Sequence, residues 1–453
     1  MLRKTLLSFA PLALVAAVGS AYADDTNVTL YGILDVGVAT IDHSLNASDS
    51  FPVTIDNNTG GYSTTKQRRL TGMVNGPMSD SRWGVKGKED LGGGLSAFFV
   101  LESGFNLPTG QINNAALSQT QAANGVPVTN SDSSLSGQFF NRAANVGLAD
   151  AKMGSVAFGR NYAPAYDVIG AYDPQKGSQL FSPLGFSGSQ GGALGLTEEL
   201  RDDNSIRYTN TIEGFNVRAI YKYGNVAGSN SAARGLGLNL GYEASNFGVQ
   251  VATQSYKDVV QTAGVAQSVT IPTTLPTTAT VVNTTGVKGT LYDTSGWILT
   301  GKYMIRGFTV KAGFEKYKRK SASDTAVGLG GISEMGYSFS TTLGNLSDYT
   351  GTDKTYKLYW IGGDYNVAAD TNLAIAYYNF KLDPFFSSST ATSTTGSDQT
   401  EKWISFVLDH NLSKRTDVYV GGNHASMGGS YTSSSSHNET SATVFAVGMR
   451  HRF

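Results

Sequence analysis

The sequence contains no cysteine. Disulfides, thiolate metal sites and thiol catalysis are therefore excluded, and hydrogen bonds and packing must hold the fold together. Positive charge is not in excess either, because 34 Lys and Arg stand against 35 Asp and Glu. This balance excludes a nucleic-acid partner bound through bulk basic charge. After residue 23 there is no apolar run of about 18 residues, so helical membrane spans are excluded as well.

The first 23 residues have the form of a secretory signal peptide. Arg3 and Lys4 precede an apolar stretch at residues 6–18, and residues 21–23 form an A-x-A cleavage pattern. The apolar stretch is too short to cross a bilayer as a helix, which disfavours the alternative of a membrane anchor. We expect cleavage to leave residues 24–453 as a single domain with a net charge of −3, against −1 for the whole chain.

What the sequence does contain favours β structure. It has 54 Gly, 23 Tyr and 21 Phe but only 11 Pro, and 15% of its residues are charged. Its first strand, from Asn27, places Val28, Leu30 and Val38 on one face and Asp35 on the other, a period of two. Similar stretches of about nine to eleven residues recur in pairs joined by short turns, and long polar connections separate the pairs. Counting them gives about sixteen strands, an even number.

Apolar faces of this kind could pack on a second sheet in a soluble sandwich or face lipid in a membrane barrel. The strand lengths, the alternation of short turns with long loops, and aromatic residues near the ends of apolar faces favour the barrel. These aromatic residues include Tyr223, Tyr242, Tyr356 and Phe308. Lipid leaves an open sheet edge unsatisfied, so the last strand, within residues 441–453, is expected to pair with the first.

Several blocks resemble the general porins of the Gram-negative outer membrane, in the branch common among beta-proteobacteria. They are VTLYGILDVGV, SRWGVKGKEDLGGGLSAFFVLESGF, FNRAANVGL, FGRNY, DNSIRYTN and the terminal GMRHRF. The resemblance covers the whole expected mature chain. With the residue patterns, it predicts an all-β protein in the cell outer membrane, a 16-stranded antiparallel transmembrane β-barrel with short periplasmic turns and long extracellular loops.

The resemblance also implies a homotrimer in which each barrel has its own water-filled pore, narrowed by the third loop folding inward. That loop is assigned to about residues 161–204. The terminal Phe453 is implied to belong to the signal read by the outer-membrane assembly machinery, although His451 stands where the family often has a tyrosine. Outer-membrane lipid and lipopolysaccharide are the other expected contacts of the barrel.

Opposed charges at the narrowing are expected to create a transverse field that favours small polar solutes. The resemblance implies Arg82, Arg142 and Arg207 as the basic wall, with Arg160 as a further member. Their alternative role is to form salt bridges that fix the loop. On the acidic side, Asp167 and Asp173 lie within the third loop, although Asp173-Pro174 could equally start an ordinary turn.

The predicted function is a porin for passive diffusion of small hydrophilic solutes and ions. A substrate-selective outer-membrane channel is one alternative, and an exported β-rich adhesin or binding protein is another. No enzymatic activity, catalytic residue or cofactor is expected. The five His residues show no metal-ligand spacing, so no metal site is expected either.

Overall fold

The computed structural model describes most of the chain after residue 26. The described residues are 27–45, 53–55, 62–64, 69–113, 137–185, 201–264, 268–269, 281–282, 287–334, 337–383, 398–429 and 439–453. The expected signal peptide at residues 1–23 lies outside them, and so does the stretch 186–200 of the expected third loop.

Sixteen antiparallel strands form a closed β-barrel, as the sequence predicts. The second strand is interrupted and has two parts. The strands are β1 Asn27–Leu45, β2 Arg69–Asn75 and Arg82–Gly92, β3 Leu95–Asn106, β4 Ala143–Asp150, β5 Gly154–Tyr162, β6 Arg201–Ile212, β7 Phe215–Lys222, β8 Gly235–Glu243, β9 Phe247–Gly264, β10 Val287–Ile305, β11 Phe308–Ser321, β12 Lys354–Ala368, β13 Thr371–Leu382, β14 Gln399–Asn411, β15 Thr416–Gly428 and β16 Glu439–Arg452.

Several short elements supplement the sixteen strands of the wall. Three small hairpins pair Val53–Ile55 with Tyr62–Thr64, Ser268–Val269 with Val281–Val282, and Ile332–Glu334 with Tyr337–Phe339. Gln111–Ile112 pairs with β3, and Leu346–Asp348 runs parallel to β10. The described helices are α1, Pro164–Tyr172, and α2, Ala326–Leu329. Neither has the length and apolar character that a membrane-crossing helix requires.

The barrel closes between its first and last strands. Val36 lies opposite Met449 and Val38 opposite Val447 in an antiparallel ladder of β1 with β16. Gly32 and Phe453 exchange two backbone hydrogen bonds of 3.1 Å at the end of this ladder. The predicted pairing of residues 441–453 with the first strand is thus confirmed, and the ladder satisfies the backbone groups that an open edge would leave bare.

Side chains alternate between the two faces of the wall. On β16, Val447 is 48% exposed while its neighbour Ala446 is fully buried, and on β8 Leu240 is 50% exposed while Asn239 is buried. Ala446 and Asn239 point into the barrel, and the exposed apolar side chains of Val447 and Leu240 point outward. This is the reverse of a soluble protein, and it fits a wall whose solvent on the outside is lipid.

The short turns are built for tight reversal. Glu213 and Gly214 connect β6 to β7, and Arg306 and Gly307 connect β10 to β11. All four residues have positive φ, from 49° to 87°. Two consecutive residues of positive φ match the right-handed twist of the flanking strands, which is why glycine occupies the second position of both turns.

Two details differ from the sequence prediction. Tyr356 is buried inside the barrel, where it stacks on Tyr317 at 4.2 Å, so its assignment to the apolar outer face was wrong. The sequence also predicts a long polar connection at residues 258–293, and this connection is shorter in the structure. A bulge after Tyr256 shifts the register, and the β9–β10 ladder then continues from Val259 to Gly264.

Candidate functional site

The loop between β5 and β6 enters the barrel and crosses its interior. Its described part begins with α1 and runs to Gly185. Along this path, Gln175 donates to Ser405 on β14 at 3.1 Å and Asn423 on β15 donates to the Leu180 carbonyl at 2.6 Å. The Leu180 amide then donates to the Pro77 carbonyl at 2.9 Å, within the interruption of β2. The loop is therefore fixed to the wall on its far side as well as at its root.

Helix α1 begins at a proline, which has the backbone angle of a first helical turn and no amide hydrogen to satisfy. Its buried face carries Ala165, Val168 and Ile169. These side chains belong to an apolar cluster with Ile298 of β10 and Trp360 of β12. Burial of each large apolar side chain contributes about 1.5–3 kcal/mol, so packing positions the helix against the wall.

Asp173 anchors the end of the helix. Its carboxylate accepts hydrogen bonds from Tyr378 on β13 at 2.5 Å and from the Gly177 amide at 2.7 Å. The side chain is fully buried, and burial raises the pKa of Asp173 above its ordinary value. Trp360 donates to the Tyr172 carbonyl at 3.2 Å beside it. Asp173 therefore holds a turn against the wall, as in the alternative interpretation of Asp173-Pro174, and its carboxylate does not face the open interior.

Asp167 points in the other direction along α1, toward two arginines of the wall. It forms an ion pair with Arg207 of β6 and lies 3.3 Å from the Nε of Arg218 of β7. Burial raises the pKa of Asp167 above its ordinary value, and the two guanidinium groups oppose this shift without cancelling it. The predicted opposition of a third-loop acid and a wall arginine is present at this contact.

A second charged cluster lies on the wall at β2 to β4. Arg142 is buried between two carboxylates, with Nη1 2.5 Å from Asp80 and Nε 2.8 Å from Glu102. Arg82 reaches Glu102 at 3.8 Å and is more exposed. Tyr31 and Tyr162 both donate to Glu102, at 2.9 Å and 2.5 Å. Arg142 therefore holds neighbouring parts of the wall together, whereas Arg82 retains access to water.

Arg160 lies apart from both clusters. Its guanidinium donates twice to the Asn141 carbonyl, at 2.9 Å and 2.7 Å, and pairs with Asp203 at 2.8 Å. The side chain is almost fully buried. These contacts fasten β5 to the neighbouring strand and to the segment before β4.

The loop and the wall enclose a cavity of about 310 Å³. Its lining residues are Met78, Ser79, Asp80, Arg82, Arg142, Tyr166, Asp167, Ile169, Gly170, Lys176, Gly177, Gln179, Leu184, Gly185 and Arg201. Four of them are basic and two are acidic, a formal excess of two positive charges. The cavity includes the predicted Arg82, Arg142 and Asp167 but not Arg160, Arg207 or Asp173.

Sequence reasoning missed several members of this site. Lys176 is an exposed cation on the loop itself, where only Asp167 and Asp173 were predicted as site residues. Asp80 is an acid on the wall side that was not among the predicted site residues, and it pairs with Arg142. Arg218 has the same parity as the buried Asn216 and Ile220 on β7, so its inward direction could have been found from the period of two.

The comparison with protein families identifies the family of this chain. The chain matches the Gram-negative porin family over residues 10–430. The chain belongs to this family. A porin of this kind is an outer-membrane protein, and its closed 16-stranded barrel agrees with that location.

Two outer membrane porin proteins are similar to this chain in sequence. This porin is 31% identical to an outer membrane porin protein of Bordetella pertussis over 226 residues, 49% of this chain and 48% of that protein. It is 27% identical to outer membrane porin protein 32 of Delftia acidovorans, over 57% of this chain and 61% of that protein. The matched region spans less than two thirds of either relative.

Solved structures show the same fold. The anion-selective porin from Comamonas acidovorans superposes with a TM-score of 0.59 at 20% identity, over 95% of this chain and all of that one. The outer membrane protein OmpT of Vibrio cholerae superposes with a TM-score of 0.57 at 15% identity, over 96% of this chain and all of that one.

Proposed function

We propose that this porin forms a water-filled channel through which small hydrophilic solutes and ions diffuse passively, and that the third loop, residues 161–204, narrows it. The observation that carries this proposal is the cavity between α1 and the wall at Arg82, Arg142 and Arg201. A barrel of about 16 strands is too wide for side chains alone to fill, so a loop inside it determines the width of the passage. No bond is made or broken, and we expect no enzymatic activity.

We further propose that the channel prefers anions. Among the charged lining residues, Lys176 forms no ion pair with an acid among the described residues and Arg82 reaches Glu102 only at 3.8 Å, whereas Arg142 is neutralised by Asp80 and Glu102. The surplus of positive charge raises the local concentration of anions and lowers that of cations. The porin from Comamonas acidovorans, which has the same fold, is described as anion-selective.

Planar-bilayer recording in a salt gradient tests both proposals. The purified porin should conduct ions, with a reversal potential of the sign that anion preference gives. Lys176→Gln should move this potential toward zero, because it removes an exposed cation from the lining. Lys152→Gln, a matched loss of charge in the short turn between β4 and β5, should leave it unchanged. Absence of conductance would reject the channel, and a cation-directed potential would reject the preference.

Passive diffusion can be separated from selective transport in the same recordings. A non-specific channel should show current that rises linearly with solute concentration. Saturation or block of the ion current by one sugar or one organic anion would instead identify a substrate-selective channel.

We also propose that the functional unit is a homotrimer, inserted by the outer-membrane assembly machinery and surrounded by outer-membrane lipid and lipopolysaccharide. OmpT of Vibrio cholerae, which has this fold, is described in a trimer form. Phe453 is 39% exposed on the outward face next to β1, which makes it accessible as an assembly signal. Light scattering of the detergent-solubilised protein tests the trimer. Phe453→Ala should lower the amount of folded protein in the outer membrane without altering the conductance of the molecules that insert.

A further inference from the structure

A row of lysines lies on the outward face of the barrel wall at β11 to β14. Lys316 on β11 is directly opposite Lys357 on β12, and Lys357 is directly opposite Lys381 on β13. Lys402 on β14 is opposite Asn379, one outward position below Lys381. Neighbouring strands are about 4.8 Å apart, so these lysine side chains leave the wall at neighbouring positions.

The outward direction of these lysines follows from the alternation of each strand. Lys316 has the same parity as Phe308 and Val310, which are 51% and 44% exposed. Lys357 has the parity of Ile361, and Lys402 that of Ile404, which are 55% and 61% exposed. The row therefore belongs to the face that carries the apolar side chains, not to the lumen.

The height of the row on the wall is also defined. Lys316 is eight residues from the start of β11 at Phe308, beside the short turn Arg306-Gly307. At about 3.3 Å per residue and a tilt of about 40°, it stands roughly 20 Å above that turn, near the far edge of an apolar band about 25 Å tall. Aromatic rings mark this edge, because Trp297 is directly opposite Lys316 and packs on Phe314 at 5.2 Å.

Like charges directly opposite each other in an antiparallel pair are destabilising, so this row needs compensation. Lys381 pairs with Asp398. Among the described residues, Lys316, Lys357 and Lys402 form no ion pair with an acid, nor does Lys318, one outward position above Lys316. The outward cation Arg69 on β2, in contrast, is neutralised by Asp42 at 2.8 Å.

We propose that Lys316, Lys357 and Lys402, with Lys318 and Lys381 beside them, bind the phosphate groups of a lipid in the outer leaflet of the outer membrane. The proposal rests on the proposed membrane channel, because it needs the short turns on the periplasmic side. Its occupant follows from the position of the row. A cationic row directly above lipid-facing aromatic rings matches a ligand that has acyl chains below and phosphate above.

Binding of lipid A to the detergent-purified full-length porin tests this site. Wild type should bind bisphosphorylated lipid A at least about tenfold more tightly than the same lipid after phosphatase treatment. The triple variant Lys316→Gln, Lys357→Gln, Lys402→Gln should lose this difference, and the corresponding triple replacement by arginine should keep it. The control variant Lys152→Gln, Lys414→Gln, Arg415→Gln removes three cations from short turns at the other end and should bind as wild type does.

Two outcomes would overturn the proposal: equal binding of both lipids by wild type, or full discrimination by the glutamine variant. Heat-dependent migration on gels verifies that each variant is folded before its binding is measured. Channel conductance of the same preparations separates this site from the proposed function. A conducting porin that does not discriminate between the lipids rejects only the lysine site, whereas a preparation that does not conduct rejects the channel.

Discussion

Arg207 on the barrel wall and Asp167 on the helix of the third loop form an ion pair inside the barrel. Arg218 lies 3.3 Å from the same carboxylate oxygen, so one acid of the loop is shared by two cations of neighbouring strands. The pair ties the loop to the wall beside the lining of the cavity. Changes at Asp167 should therefore affect both the position of the loop and the charge near the passage.

Asp167→Asn should increase anion preference, because it leaves the charges of Arg207 and Arg218 uncompensated. One unit of charge at this range should change the ratio of anion to cation permeability by about two- to fivefold. Stability should change little, because the cost of burying the Asp167 charge outweighs its attraction to the two guanidinium groups. Reversal potentials and urea unfolding measure the two effects. Glu213→Gln, which removes an acid from the short turn between β6 and β7, is the control, and an equal change in that variant would contradict the assignment.

Anion preference should also rise as the pH falls. Burial raises the pKa of Asp167 above its ordinary value of 3.8, so this carboxyl takes up a proton at a higher pH than an exposed aspartate does. The cost of burying its charge is present above the folded-state pKa and disappears as the pH falls through it. Reversal potentials should therefore shift toward anions as the pH is lowered from neutral toward 3.8, at higher pH than an exposed aspartate would require. If Asp167→Asn shifts as strongly as wild type over this range, another group is responsible.

Removal of Arg142 should destabilise the barrel rather than simply retune its selectivity. Arg142→Gln leaves Asp80 and Glu102 buried without their cation, which should cost about 3–5 kcal/mol. Arg142→Lys should rescue only part of this loss, because a single ammonium cannot reproduce the contacts of Nη1 and Nε with two carboxylates. Arg82→Gln is the matched comparison, since its 3.8 Å pair is partly exposed and should be worth at most about 1 kcal/mol. Equal unfolding midpoints for the Arg82 and Arg142 variants would contradict this assignment.

Removal of a single hydroxyl tests whether Asp173 anchors the end of α1. Tyr378→Phe removes the donor to the buried Asp173 carboxylate and should cost about 1–3 kcal/mol. The loosened loop should appear in single-channel records as more frequent partial closures. Tyr377→Phe is the control, because this neighbour has the outward parity and its hydroxyl only accepts from Asn379. If Tyr378→Phe shows no more partial closures than wild type, the position of the loop does not depend on this hydrogen bond.

Strand positions could be predicted from the sequence because the wall has a simple physical code. Outward residues such as Leu240 and Val447 contact lipid and must be apolar. Inward neighbours such as Asn239 contact water or other polar side chains and can be polar. The code fails where both faces are apolar. Tyr356 was misplaced because the inward Leu358 and Trp360 of the same strand are also apolar, since they pack against the third loop.

The charged site was less predictable, because its pairs join residues far apart in the chain. A basic wall facing an acid of the loop is found at Arg207 and Asp167, but local sequence does not show that Asp80 and Glu102 enclose Arg142. The same holds for Arg160, whose partners are a backbone carbonyl and Asp203. The constriction roles of the predicted residues therefore stay predictions, and the geometry favours Arg82 and Asp167 among them.

The ladder that joins β1 to β16 also determines which strand pairing forms last as the barrel folds. Each hairpin can zip together from neighbouring residues, but Val36 meets Met449 only after nearly the whole polypeptide has been synthesised. Closing so long a loop carries the largest entropic cost of any pairing in the wall and makes it intrinsically slow. Until then the partly folded sheet has two unpaired edges, and each edge can pair with the wrong strand. A chaperone that covers these edges until β1 pairs with β16 would therefore act when the chain is most prone to misfold and aggregate.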